Sequence, residues 1–260
     1  MHSRQTGAVA TVQFEDTAAF GRVLIVDDDV AFGGFMLAAL ESRGHDADWA
    51  GSVADALATL YASRYDLVLI DWRLPDGSGF DLLRQASEAG LLAGSAAVML
   101  TGYEFEEPCD VRVFRKPSAR EVEPLLDRFG ALIALAKRRR ETGPRSSSQN
   151  AAGHDGQARS RRARVELVLY TSAASEKCQR AVRTIQNALT AYAHERVLFT
   201  IVDLSNAPEA GDEDAVVFTP TLVKRGPGPR TYIVGNLDDP RLVTDLLDVS
   251  GVPKRMDGNR

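Results

Sequence analysis

Cysteine is scarce. The 260 residues hold two, Cys109 and Cys178, one in each half of the chain. That leaves no framework of structural disulfides and fits a reducing, cytoplasmic setting. The four histidines (His2, His45, His154, His194) are scattered, and none stands at metal-ligand spacing from a cysteine. No apolar run approaches the roughly 20 residues that would span a membrane. The first twenty residues lack the apolar core of a secretory signal. Excess positive charge is missing as well: 31 Lys and Arg stand against 36 Asp and Glu, a net −5. That balance argues against nucleic-acid binding by the molecule as a whole. What remains is an ordinary globular composition, 44% hydrophobic and 26% charged. The length gives room for two domains with cores of their own.

The most informative stretch is Tyr65 to Gly79, YDLVLIDWRLPDGSG. Leu67 to Ile70 is a continuous apolar run, as expected of a strand buried on both faces of a parallel sheet. It ends in Asp71, and turn chemistry follows at once in Pro75, Asp76, Gly77 and Gly79. Around it, strands and helices alternate. Arg22 to Val26 reads as a strand ending in Asp27, Asp28 and Asp29. Ala31 to Arg43 carries apolar residues at helical spacing, with Gly44 as its stop. Asp46 to Ala50 is a short strand, and Ser52 caps a helix to Ala62. Phe80 to Ala89 is a helix. Ala96 to Leu100 is a fourth strand, ending in Thr101, and Val111 to Phe114 a fifth, followed by Arg115, Lys116 and Pro117. Glu121 to about Arg140 is a last helix whose apolar side packs on its own sheet or pairs with a copy of itself; the first is the commoner outcome.

This alternation predicts a parallel, doubly wound α/β sheet. Right-handed crossovers bring the strands' carboxyl ends to one edge, which gathers Asp27, Asp28, Asp71, Thr101 and Lys116. Clustered carboxylates repel one another unless a hard cation neutralises them, and Mg²⁺ suits carboxylate and phosphoryl oxygens. An Asp beside such an ion can act as nucleophile toward a phosphoryl group. The Lys116 ammonium would offset charge on that group, and the Thr101 hydroxyl would donate to it.

VDDD, IDWRLPDGSG, LTG and RKP, in this order, resemble the receiver domain of two-component response regulators over residues 22 to about 137. The resemblance implies Asp71 as phosphoacceptor and Asp27 and Asp28 as Mg²⁺ ligands. It implies the Arg73 carbonyl as a further metal ligand, Thr101 and Lys116 as phosphoryl contacts, and a cis Lys116–Pro117 bond. Two features depart from the family pattern. Val113 stands where an aromatic is usual, three residues before Lys116. Only 14 residues separate Thr101 from Lys116, too few for a crossover helix with its loops, so the fourth helix should be short or missing. Tyr103, Phe105 and Val113 would then form a partly exposed apolar contact surface.

Glu141 to Arg164 has no apolar period and reads as a flexible linker. Lys137 to Arg164 holds nine basic residues against two acids, but no interleaved aromatics. Beyond it come a strand (Val165 to Tyr170), a long helix (Ser175 to His194) and a strand (Val197 to Leu204). A polar, acidic stretch runs through Asp214. A hairpin of Thr221 to Lys224 and Thr231 to Val234 follows, joined at Gly226 to Pro229, and the helix Asp239 to Val249 closes the chain. The order βαβ then ββα, with Thr219-Pro220 before the third strand, resembles the thioredoxin fold. Its redox chemistry does not carry over, because Cys178 stands alone without a Cys-x-x-Cys pair.

LVLYTSAASEKCQRAVRTIQNAL, VDLSNAPEAGDED, FTPTLVKRGPGPRTYIVGNL and DLLDV more closely resemble the KaiB-like proteins of circadian clocks, over residues 165 to 252. That resemblance implies a non-enzymatic binding module, docking on a KaiC-like ATPase or another protein. Some members switch between two folds, and the β-prone residues 216–224 and 231–234 favour the thioredoxin-like one. The expected organisation is a tail (1–20), a receiver (21–140), a basic linker (141–164), a KaiB-like domain (165–252) and a tail (253–260). The expected function is that of a response regulator, not an enzyme, phosphorylated on Asp71 by a histidine kinase or phosphotransfer protein. The alternatives are a constitutive KaiB-like scaffold with an unphosphorylated pseudo-receiver and, behind it, a DNA-binding regulator.

Overall fold

In a computed structural model, the apolar runs expected as strands form the main sheet, apart from Val111 to Phe114, of which only Phe114 is described. The described residues are 20–100, 103–104, 114–115, 119–142, 164–172, 175–216 and 219–255. The first half runs β1 (Arg22–Val26), α1 (Val30–Glu41), β2 (Asp46–Ala50), α2 (Val53–Ala62) and β3 (Leu67–Asp71). It continues with the short strands β4 (Arg73–Leu74) and β5 (Gly77–Ser78), then α3 (Gly79–Glu88) and β6 (Ala96–Leu100). Two further short strands, β7 (Tyr103–Glu104) and β8 (Phe114–Arg115), lead to α4 (Ala119–Thr142). The second half runs β9 (Val165–Thr171), α5 (Glu176–Leu189), β10 (Val197–Asp203), a 3-10 segment Pro208–Asp214, β11 (Thr221–Gly226), β12 (Arg230–Val234) and α6 (Pro240–Val249).

Both halves share one eight-stranded sheet, in the order β10-β9-β11-β12-β6-β3-β1-β2. The pairings make seven strands run one way, with β11 reversed. The seven carboxyl ends therefore lie along a single edge, whichever half they come from. Successive side chains of a strand point to opposite faces, so Val23 and Ile25 join one core layer and Leu24 and Val26 the other. On one face Phe32, Met36 and Leu40 of α1 and Leu126, Phe129, Leu132, Ile133 and Ala136 of α4 cover the sheet. The apolar stripe of α4 is thus taken up by its own sheet. The other face is covered by α2, α3, α5 and α6, through residues such as Leu60, Leu83, Ile185 and Leu246. Both layers run unbroken from one half into the other.

The run that departs from expectation is the fifth strand of the receiver. A flavodoxin-like sheet with order 2-1-3-4-5 would place it beside β6. In the structure that place belongs to β12, paired in parallel from Arg230↔Ala96 to Val234↔Leu100. Phe114 and Arg115 instead pair antiparallel with Tyr103 and Glu104. Among the described residues the first half therefore contributes four strands to the main sheet, where five were expected. Val111 to Val113 and the Lys116–Pro117 bond lie outside the described residues, as do Phe105 and Val113 of the expected apolar surface, whose third member, Tyr103, is in β7. Between Leu100 and Ala119 the described residues contain no helix. The expected linker also lies outside them, apart from its ends: α4 runs on to Thr142, and Arg164 precedes β9.

The second half has the thioredoxin-like arrangement, with β9 and β10 parallel and β11 antiparallel to both β9 and β12. Thr219–Pro220 and Gly226–Pro227 are cis. Asp214, in the stretch read as merely polar and acidic, is fully buried. It accepts from Tyr170 Oη (2.7 Å) and Arg225 Nε (2.9 Å) and pairs with Arg230 (2.5 Å). This network ties the 3-10 segment to β9, β11 and β12. Among the described residues no helix is long and apolar enough to cross a membrane.

Candidate phosphoacceptor and metal site

The three acids after β1 divide their work. Asp29 caps α1: its Oδ1 accepts from the backbone N–H of Ala31 (3.0 Å) and Phe32 (3.1 Å). Asp27, 2% exposed, turns inward and accepts the N–H of Asp29 (2.8 Å). Its backbone is pinned from β2, where Trp49 Nε1 donates to the Asp27 carbonyl (2.9 Å). The Trp49 ring lies across Gly33, where a Cβ would come within 2.4 Å of the indole nitrogen. Asp28 is exposed.

Asp71, half-buried, ends β3 in the next position along the edge. One carboxylate oxygen from each of Asp27, Asp28 and Asp71 lies within 4.8 Å of the others. Three such oxygens bring mutual repulsion that a divalent cation relieves, and an all-oxygen donor set fits Mg²⁺. The backbone then turns sharply away. Gly79 N donates to the Trp72 carbonyl (2.8 Å), and a Cβ at Gly79 would sit 2.5 Å from the Asp71 carbonyl oxygen and 2.8 Å from Met99 Sδ. Only glycine lets α3 begin so close to the strand that ends in Asp71. Ser78 caps α3, with Asp81 completing a capping box. These hydrogen bonds from Ser78 hold the Asp81 carboxyl below the usual range.

The PDG turn does more than turn. Asp76 accepts from the backbone N–H of Val53 (2.8 Å) and Ala54 (2.9 Å), and so anchors the loop after Asp71 to the start of α2. The Ala54 bond, then the Val53 bond, holds its carboxyl low. Among the expected site residues, the structure brings Asp27, Asp28 and Asp71 together. Arg73 opens β4, two residues beyond Asp71, with its side chain exposed. Thr101 and Lys116 lie outside the described residues, directly after β6 and β8 respectively.

The residue that sequence reasoning passed over is Trp72. It follows Asp71, is half-buried, and packs against the core layer that holds Leu242, Val243, Leu246 and Leu247 of α6. The Arg241 guanidinium lies over its ring, 5.3 Å from the centroid. Asp245, one turn on, is raised in pKa by burial first and by the neighbouring Asp248, with a hydrogen bond from the Trp72 side chain working the other way. The available signal was an amphipathic aromatic next to Asp71, but its contact partner is far off in sequence. In the second half Cys178 is 2% exposed, and its sulfur accepts the N–H of Ser172 (3.3 Å). The thiol serves packing and the loop after β9.

Comparison with known families matches the response regulator receiver domain to residues 23–113 and the KaiB domain to residues 168–249. One polypeptide thus carries a receiver domain and a KaiB domain. Among curated proteins, the chain is 37% identical over 70 residues to the transcriptional regulatory protein DltR of Streptococcus agalactiae, 27% of this chain and 31% of that one. It is 34% identical over 79 residues to the phosphate regulon transcriptional regulatory protein PhoB of Pseudomonas aeruginosa, 30% of this chain and 34% of that one. The chain spans about a third of the length of these curated relatives. Among solved structures, a CheY-like receiver domain protein from Methanospirillum hungatei is 27% identical, with 46% of this chain and 99% of that chain covered and a TM-score of 0.38. TrrA of Thermotoga maritima, solved in complex with Mg(2+)-BeF, is 22% identical, with 43% and 97% covered and a TM-score of 0.35.

Proposed function

We propose that the protein is a response regulator whose phosphoacceptor is Asp71 and whose output is protein binding by the KaiB-type half. The observation that carries this reading is the trio of Asp27, Asp28 and Asp71 oxygens within 4.8 Å at the carboxyl edge of the sheet. Asp27, Asp28 and Asp71 would hold Mg²⁺, with the Arg73 carbonyl as a further ligand, and the ion would offset charge on the transferring phosphoryl group. An Asp71 oxygen attacks the phosphorus of a phosphohistidine on a histidine kinase or phosphotransfer protein. The P–N bond breaks, its electron pair stays on the imidazole, and an acyl phosphate forms on Asp71. Thr101 and Lys116 take the roles of phosphoryl contacts. The protein turns over no substrate of its own; it is a cytoplasmic switch, and its KaiB-type half engages a KaiC-like ATPase or another protein.

The test is intact-mass measurement after incubation with acetyl phosphate. A single phosphoryl adduct is expected that needs Mg²⁺ and disappears in Asp71→Asn. No adduct with any phosphodonor would overturn the reading. One observation favours the alternative of a constitutive scaffold. The place beside β6 is filled by β12, and Arg115, the neighbour of Lys116, is paired with Tyr103 outside the main sheet. The same assay separates the two.

A further inference from the structure

The phosphoacceptor edge and the KaiB-type half touch directly. Asp71 pairs with Leu100 in the sheet, and Leu100 pairs with Val234 of β12, so one row of backbone joins the two. Immediately after Asp71, Trp72 reaches out of the receiver half onto α6. Its ring carries Arg241 on one side and faces Asp245 one helical turn further. Arg241 is held there by Asp239, the N-cap of α6, through Nη2 at 2.7 Å and Nε at 3.1 Å. The contact is shallow: the Arg241 side chain is 73% exposed, while the aliphatic side of α6 is buried. A cation stacked on an aromatic near the surface is held weakly and is sensitive to nearby charge. A phosphoryl group on Asp71 would bring new negative charge to the residue adjacent to that ring.

We propose that Trp72 is the positioning residue that couples Asp71 to the KaiB-type half, by seating or unseating the Arg241 end of α6. This rests on phosphorylation of Asp71. In this arrangement the output responds at the phosphoacceptor edge itself, across the Trp72–Arg241 contact, and needs no separate docking surface on the receiver. The phosphodonor step is that of acetyl phosphate: an Asp71 oxygen bonds to phosphorus, the acetyl C–O–P bridge breaks at phosphorus, and acetate leaves.

The chain has two tryptophans, Trp49 and Trp72. Incorporation of 5-fluorotryptophan therefore gives two ¹⁹F resonances, assigned by Trp72→Phe. The full chain is treated with acetyl phosphate and Mg²⁺. Adduct formation is followed by intact mass, the Trp72 resonance by NMR, and α6 by amide hydrogen exchange over residues 240–249. The expected result is a phosphoryl adduct, a shifted Trp72 resonance and a several-fold change in α6 exchange. Arg241→Gln and Trp72→Ala should accept the phosphoryl group as wild type does, yet lose most of the α6 response. Arg241 is exposed, so its variant is expected to fold even where Trp72→Ala does not. An adduct with an unmoved Trp72 resonance, or with an undiminished α6 response in Arg241→Gln, would overturn the inference and leave the proposed function standing. Absence of any adduct would overturn both.

Discussion

Single residues show how little of a side chain's job follows from its type. Asp27, Asp28 and Asp29 are consecutive, yet one is buried, one exposed and one caps a helix. Their place at the carboxyl end of a buried strand made Asp27 and Asp28 legible as site residues in the sequence. The buried role of Asp214 was not legible, because its partners Tyr170, Arg225 and Arg230 come from three different strands outside its own 3-10 segment. Lys224 is a similar case. It sits 4% exposed near the GPGP turn, its Nζ donating to the Pro227 carbonyl, and burial lowers its pKa from 10.5 to about 8. The unfolded chain thus binds more protons than the folded one between about pH 8 and 10.5, so stability rises with pH over that window. Burial acts in the opposite sense on Tyr65, Tyr170 and Tyr232, each raised from 10.0 to about 12. Above pH 10 they reverse the trend. Urea denaturation across this range should show a stability maximum near pH 10. Lys224→Met should abolish the rise below it and add on the order of 2–3 kcal/mol at pH 7. A flat wild-type profile would contradict the assignment.

Elements were the most readable scale. Ser52, Ser175 and Asp239 cap the helices that follow them, and apolar runs bounded by turn residues became strands, because both signals act within a few residues. What the sequence withheld was the partner of each edge. Val111 to Phe114 has as good a strand pattern as Arg230 to Val234, and local composition cannot decide between two candidates for the place beside β6. The start of α3 is another tertiary constraint, visible as a glycine but not as a contact. Gly79→Ala would place a methyl group against the Asp71 carbonyl and Met99. The helix-propensity gain of about 1 kcal/mol should be outweighed, for a net loss of about 1–3 kcal/mol in urea denaturation. Isothermal titration should also show weaker Mg²⁺ binding, since the strain falls on the strand that ends in Asp71. Unchanged affinity would mean that α3 yields and Asp71 stays put.

The whole molecule is two families in one sheet. Both core layers draw residues from both halves: Val98 and Tyr232 share one, Met99 and Ile233 the other. Separate unfolding of either half would expose the β6–β12 seam and the apolar residues on both its sides. Differential scanning calorimetry should therefore give a single endotherm with calorimetric and van't Hoff enthalpies in agreement. Two resolved endotherms would show that the seam is weak enough for the halves to behave as separate domains.

The same seam has a consequence for synthesis. Ala96 waits for Arg230, more than a hundred residues later, before its edge of the sheet is covered. At ribosomal speeds of about 5–20 residues per second, the nascent chain carries an open strand for on the order of ten seconds. An uncovered strand edge is a template for pairing with other chains. That edge stays open until β12 has been made, so pairing errors during synthesis should concentrate there.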